Sequence, residues 1–123
     1  MKKRIMATLL GVLAFSFAMA QSKPQLRHVV LFQFKASASA QDVAKVEAAF
    51  AGLPKQIPQI KGFEWGLNNS PENLNQGFTH CFTLTFSSEA DRDAYLPHPA
   101  HKAFGQVLRP YLEKVLVVDY WTR

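Results

Sequence analysis

Hydrophobic and polar positions alternate over residues 28–35, His28-Val29-Val30-Leu31-Phe32-Gln33-Phe34-Lys35, and the β-branched and aromatic content is that of a strand. Period two puts His28, Val30, Phe32 and Phe34 on one face and Val29, Leu31 and Gln33 on the other. Both faces begin apolar, so cover is expected on both sides. Val43, Val46, Phe50 and Leu53 then recur at helical spacing behind Ser39 and Asp42, a weaker form of the capping box. Gly52 and Pro54 are expected to end that helix, with residues 54–58 a connection. Residues 63–67 predict a second strand and residues 68–77 a loop, on the turn chemistry of Asn69-Ser70-Pro71 and Gln76-Gly77. From 78 to 86 the alternation is clean: Phe78, His80, Phe82, Leu84 and Phe86 against Thr79, Cys81, Thr83 and Thr85. Ser88 and Asp91 open a second helix through Tyr95-Leu96. Pro97 interrupts it, and Pro99 fits the first turn of a continuation, where a missing N–H is harmless. Phe104, Val107, Leu108 and Tyr111 supply its apolar stripe, and residues 115–121 form a last strand.

The order is β-α-β-β-α-β, that of an α+β ferredoxin-like domain with its helices on one face of the sheet. The other face, carrying Val29, Leu31, Cys81, Thr83 and Thr85, is too large an apolar patch to leave wet. Pairing two such faces in a homodimer covers it.

Residues 1–20 stand apart from this pattern. Lys2, Lys3 and Arg4 precede an apolar stretch, residues 5–17, and Ala18-Met19-Ala20 offers an A-x-A cleavage site, so a cleavable signal peptide is expected. The stretch is shorter than the roughly 18–20 residues that span a bilayer, and no stable membrane span is expected after cleavage. A periplasmic or secreted protein follows. With the leader gone, 11 of the 14 basic residues remain against 9 acidic ones, a formal charge of +2, and no Lys/Arg run is left. The high isoelectric point is partly an export signal, and nucleic-acid binding is disfavoured. Residues 21–123 suit one domain with a single core. Cys81 is the one cysteine, so no intrachain disulfide forms. A buried thiol is expected.

The candidate chemistry lies in the four histidines. Imidazole changes charge near neutral pH and ligates metals. His28 and His80 share strand faces with Phe32, Phe34, Phe82 and Phe86, pointing between sheet and helices. His101 follows His98 by three residues at a helix start, where backbone N–H groups favour a carbonyl oxygen, enolate or carboxylate. His98 reads as structural. Tyr95 can donate to a ligand oxygen from its helix end. Asp119 on the last strand either orients a histidine or is an edge carboxylate exposed to solvent, the second being the favoured reading. With no H-E-x-x-H motif and no well-placed acid, a metal is not expected. Neither a phosphate-binding glycine loop nor a nucleophile elbow is present, and no cofactor is expected.

Arg27 to Lys35, Trp65-Gly66-Leu67-Asn68, Gly77-Phe78-Thr79-His80, Tyr95 to His101 and Asp119-Tyr120 occur in an order that resembles the stress-responsive A/B barrel (Dabb) family, over roughly residues 26–121. The resemblance implies a dimeric α/β barrel. Within the family the chain is similar to plant polyketide cyclases of the olivetolic acid cyclase type, which close a poly-β-keto thioester by aldol chemistry without a cofactor. That likeness implies pocket roles for His28, His80, Tyr95 and His101. Phe50 stands where the cyclase type has a further tyrosine, so one hydroxyl is missing.

Three functions remain open. One is an exported small-molecule binder whose pocket is lined by Phe32, Phe34, Phe82, Phe86 and Phe104 and whose polar contacts are His28, His80, Tyr95 and His101. A second is a cofactor-independent lyase or cyclase, in which one imidazole removes a proton beside a carbonyl while Tyr95 and another histidine stabilise the enolate oxygen. The third is a dimeric structural stress protein without a pocket.

Overall fold

The computed structural model describes residues 23–123 together with Met1 and Gly11, so the expected leader otherwise lies outside the described residues. The elements are β1 (Leu26–Phe34), α1 (Ala40–Ala51), α2 (Leu53–Gln56), β2 (Gly62–Leu67), β3 (His80–Phe86), α3 (Glu89–Tyr95), α4 (Pro99–Leu108) and β4 (Leu112–Trp121). One sheet of order β2-β3-β1-β4, antiparallel at every pairing, carries the helices on one face: an α+β ferredoxin-like fold. Among the described residues no helix is long and apolar enough to cross a membrane.

Local chemistry sets the boundaries. At α1 the capping box closes fully. The Asp42 N–H donates to Ser39 Oγ at 3.1 Å, and the Ser39 N–H donates to Asp42 Oδ2 at 3.0 Å. The Ser39 N–H on the carboxylate, and after it the Ser39 hydroxyl, hold the Asp42 carboxyl below its ordinary pKa. Pro54, read as a stop, begins the short helix α2, because a proline in a first turn forfeits no hydrogen bond. The second helical region is two helices, broken at Pro97. His98 caps α4, its Nδ1 accepting from the Ala100 N–H at 3.0 Å. β3 starts at His80, two residues later than expected, since Asn75 holds Phe78 in the preceding loop through both its backbone carbonyl and its side-chain amide.

The helix-side face is the core. Leu26, Val30, Phe32, Phe82, Leu84 and Phe86 from the sheet pack against Val46, Phe50, Leu53, Phe104 and Leu108. Each such side chain contributes about 1.5–3 kcal/mol on burial.

Among the described residues nothing covers the opposite face. Register sets Leu116, Leu31, Cys81 and Gly66 side by side, with Val118, Val29, Thr83 and Glu64 in the adjoining row. Val29, Leu31, Cys81 and Thr83 are half-buried, so β1 is sheathed on its helix side alone and Cys81 is less buried than expected. β4 is bare on both faces, Val115 and Val117 toward the helices being as exposed as Leu116 and Val118 behind them.

Candidate functional site

The alternation sends His28 and His80 to the same face of the sheet, but the register sets them apart. His28 pairs with Leu84, and His80 pairs with Phe32. Four residues of strand separate them, roughly 13 Å at about 3.4 Å per residue. Phe32 and Phe82 fill the space between.

His28, Tyr95 and His101 line a cavity of about 510 Å³ between β1, β4 and the helices α3 and α4. Its walls are otherwise largely apolar, with Val30, Phe32, Phe50, Phe104, Val115 and Val117 prominent. His80 does not line it. Of the five phenylalanines expected there, Phe32 and Phe104 do; Phe34, Phe82 and Phe86 do not. Phe82 is fully buried beneath Phe50, the rings stacked at 4.2 Å. Phe86 backs Tyr95 and His28 from within the core at 5.2 and 6.2 Å. Phe34 lies edge-on to His80 at 4.9 Å.

His28 Nδ1 is 2.6 Å from Asp119 Oδ1. A carboxylate accepts, so Nδ1 carries the proton, and Nε2 is left without a protein partner among the described residues. Asp119 Oδ2 accepts from Arg92 Nη1 at 3.2 Å, and Arg92 Nε donates to Asp93 Oδ1 at 3.1 Å. Of the two readings of Asp119, the favoured one, an edge carboxylate in open solvent, is therefore corrected, and the other, a carboxylate on a histidine, matches the geometry. β4 sets it directly opposite His28, where its side chain is 23 % exposed.

The Tyr95 ring lies 5.8 Å from His28 and 4.4 Å from His101. Burial pushes its phenol well above the ordinary value, so the hydroxyl keeps its proton and remains a donor. His101 Nδ1 donates to the Leu96 carbonyl at 2.8 Å, which again assigns the bare nitrogen to Nε2. Burial lowers its proton affinity, His28 and His98 lower it further, and the Leu96 bond opposes them. The outcome is a neutral imidazole with an accepting nitrogen.

The surroundings of His80 are of another kind. Its Nε2–H donates to Glu47 Oε2 at 3.0 Å, and its Nδ1 accepts from the Thr79 hydroxyl at 2.7 Å. Trp65 stacks parallel to the ring at 6.1 Å. Both nitrogens are occupied by protein.

Sequence reasoning passed over Glu47 and Arg92. A signal existed for Glu47: it follows Val43 by four residues and precedes Phe50 by three, so it sits on the apolar stripe of α1. Arg92 precedes Tyr95 by one turn and shares its side of α3. Among the described residues no group of three or more His, Cys, Asp or Glu is placed to hold a metal ion.

Chemically, the cavity offers an oriented base, a neutral imidazole acceptor and a phenol donor inside apolar walls. A carboxylate behind a histidine fixes its tautomer and steadies the imidazolium that forms on proton uptake. A carbonyl or hydroxyl compound fits such a set.

The Stress responsive A/B Barrel Domain family matches residues 26–122. The chain is 39% identical over 102 residues to the stress-response A/B barrel domain-containing protein HS1 of Arabidopsis thaliana, covering 83% of this chain and 94% of that protein. To the olivetolic acid cyclase of Cannabis sativa it is 32% identical over 98 residues, covering 80% and 97%. Among solved structures, a hydroxynitrile lyase from Passiflora edulis is similar with a TM-score of 0.75 and 29% identity, covering 80% of this chain and 94% of that one. A ferredoxin-like protein of Bacteroides fragilis, described as dimeric, is similar with a TM-score of 0.66 and 27% identity, covering 80% and 96%. With its fold and nearly the whole described chain matched, this protein belongs to the stress-responsive A/B barrel domain family.

Proposed function

We propose that the chain binds a small, largely apolar carbonyl compound in the cavity of His28, Tyr95 and His101, as an exported homodimer paired through its open sheet faces. One observation carries the binding reading: Tyr95, His28 and His101 line a hollow that is otherwise mostly hydrocarbon and aromatic, and neither imidazole's Nε2 has a protein partner among the described residues. Sites of this make-up orient a ligand with a few polar contacts while the walls supply the hydrophobic contribution.

Calorimetric titration with hexanophenone, a neutral alkyl aryl ketone, tests it. Saturable binding is expected, about fivefold weaker in Tyr95→Phe, whose lost hydroxyl is the donor to the ketone oxygen, a contact worth about 1 kcal/mol. No binding by the wild type, or equal binding by Tyr95→Phe, would sink the reading.

A second reading, a cofactor-independent lyase or cyclase, is favoured by the Asp119–His28 pair and by the names of two of the similar proteins, a cyclase and a hydroxynitrile lyase. Release of benzaldehyde from mandelonitrile, followed by absorbance, separates the two. An enzyme loses turnover by about 100-fold or more in His28→Ala, with a much smaller change in ketone affinity. A binder turns nothing over.

Dimerisation is supported by the bare rows on the open face and by the dimeric description of similar structures. Sedimentation velocity should show Leu31→Glu as a monomer beside a dimeric wild type. Export rests on the leader pattern, and the intact mass of protein from a periplasmic fraction should lack residues 1–20.

A further inference from the structure

Arg92 has no place in the reading above, yet it crosses from α3 to β4 at the end of the cavity and reaches the carboxylate behind His28. We propose that Arg92 is a positioning residue that, acting through Asp119, holds His28 with Nδ1 protonated and Nε2 bare toward the cavity. This rests on His28 being the oriented base of the proposed site.

The geometry divides Asp119 between two donors, one oxygen each: Oδ1 takes His28 Nδ1 at 2.6 Å and Oδ2 takes Arg92 Nη1 at 3.2 Å. A carboxylate bonded at one oxygen can swing about its side-chain torsions; bonded at both, it is fixed in plane and direction. That matters here because Asp119 stands on β4, the edge strand exposed on both faces, and has 23 % of its side chain open to water. Arg92 is itself steadied through Nε by Asp93 at 3.1 Å. The chain of contacts thus runs Asp93, Arg92, Asp119, His28. It joins a helix end one turn before Tyr95 to a strand 27 residues away. Deleting the guanidinium leaves Asp119 free to turn outward, and the imidazole free to take the opposite tautomer, which closes Nε2 as an acceptor.

The test reads the His28 ring directly by 15N-imidazole correlation spectra at pH 8, with no ligand present. The wild type is expected almost wholly as the Nδ1–H tautomer. In Arg92→Gln at least a third of the population should move to Nε2–H, and Arg92→Lys should retain more of the wild-type form than Gln does. Asp93→Asn, at an exposed position, gives the same direction with a smaller shift should the Gln variant not fold. Unchanged tautomers in the Arg92 and Asp93 variants, while Asp119→Ala shifts the ring, overturn the proposal; so does a Lys variant no better than Gln. Failure of ketone binding leaves this readout standing, so the two proposals fall separately.

Discussion

Each end of the aromatic core carries a histidine backed by a carboxylate: His28 with Asp119 at one end, His80 with Glu47 at the other. Both rings are over nine-tenths buried, and both sit on the helix-side face of the sheet. The difference lies in the second nitrogen. His80 spends it on the neighbouring Thr79 hydroxyl and is sandwiched between Trp65 and Phe34, whereas His28 keeps it unspent beside a cavity. Residue type and burial are the same in both cases. What separates a site from a strut is whether a group capable of chemistry is left without an internal partner.

The sharpest way to break the comparison is to remove each ring. His80→Ala should cost about 2–4 kcal/mol of stability in urea unfolding, since it strands a carboxylate and empties an aromatic slot. Hexanophenone affinity of the folded fraction should stay within about twofold. A tenfold loss of affinity in that variant would mean the two ends are not separate.

Cutting the carboxylates gives a smaller effect with the same contrast. Glu47→Ala leaves a buried N–H unpaired at His80 and should destabilise by about 1–3 kcal/mol with little change in ketone binding. Asp119→Asn keeps the shape but lets the ring choose its tautomer, so its larger effect should appear in binding. If the two variants behave alike in both assays, the distinction between the ends fails.

The smallest expected effect concerns pH. The folded state holds the proton affinity of His101 below its unfolded value, chiefly by burial, so the unfolded chain binds more protons as the solution is acidified. That contribution is fully present above the unfolded value of about 6.5, and is lost as pH falls through the lowered folded value. His101→Gln should therefore show a shallower decline of Tm between pH 7 and pH 5 than the wild type. Parallel curves would contradict the assignment of His101 as a neutral, partly desolvated ring.

The comparison also marks how far the sequence could be read. Alternation in β1 and β3 and the 3.6 spacing of α1 are local signals, and they gave the element order, the helix-side core and the face on which both histidines lie. Register is not local. Pairing Phe32 with His80, and His28 with Asp119, joins residues 48 and 91 positions apart, and nothing in either strand's own pattern states the offset. One slip of four residues would have brought the two imidazoles together. The charged partners escaped for a different reason: Glu47 and Arg92 on amphipathic helices look like ordinary solvated side chains until the opposing strand is in place. Helix starts were the reverse case. Ser39 with Asp42, and Ser88 with Asp91, carry their capping chemistry within three residues and were legible as they stand.

The bare edge of β4 has a consequence for handling the protein. Val115, Leu116, Val117 and Val118 form four consecutive aliphatics open on both faces of a strand paired along one edge only, the make-up of a template for strand-to-strand aggregation. Glu113 and Lys114 before them and Asp119 after them act as charged gatekeepers. Lys114 is also tethered to the Gln76 carbonyl, which keeps its ammonium at that edge. Neutralising either flank should make the chain precipitate on concentration even where its fold is unchanged.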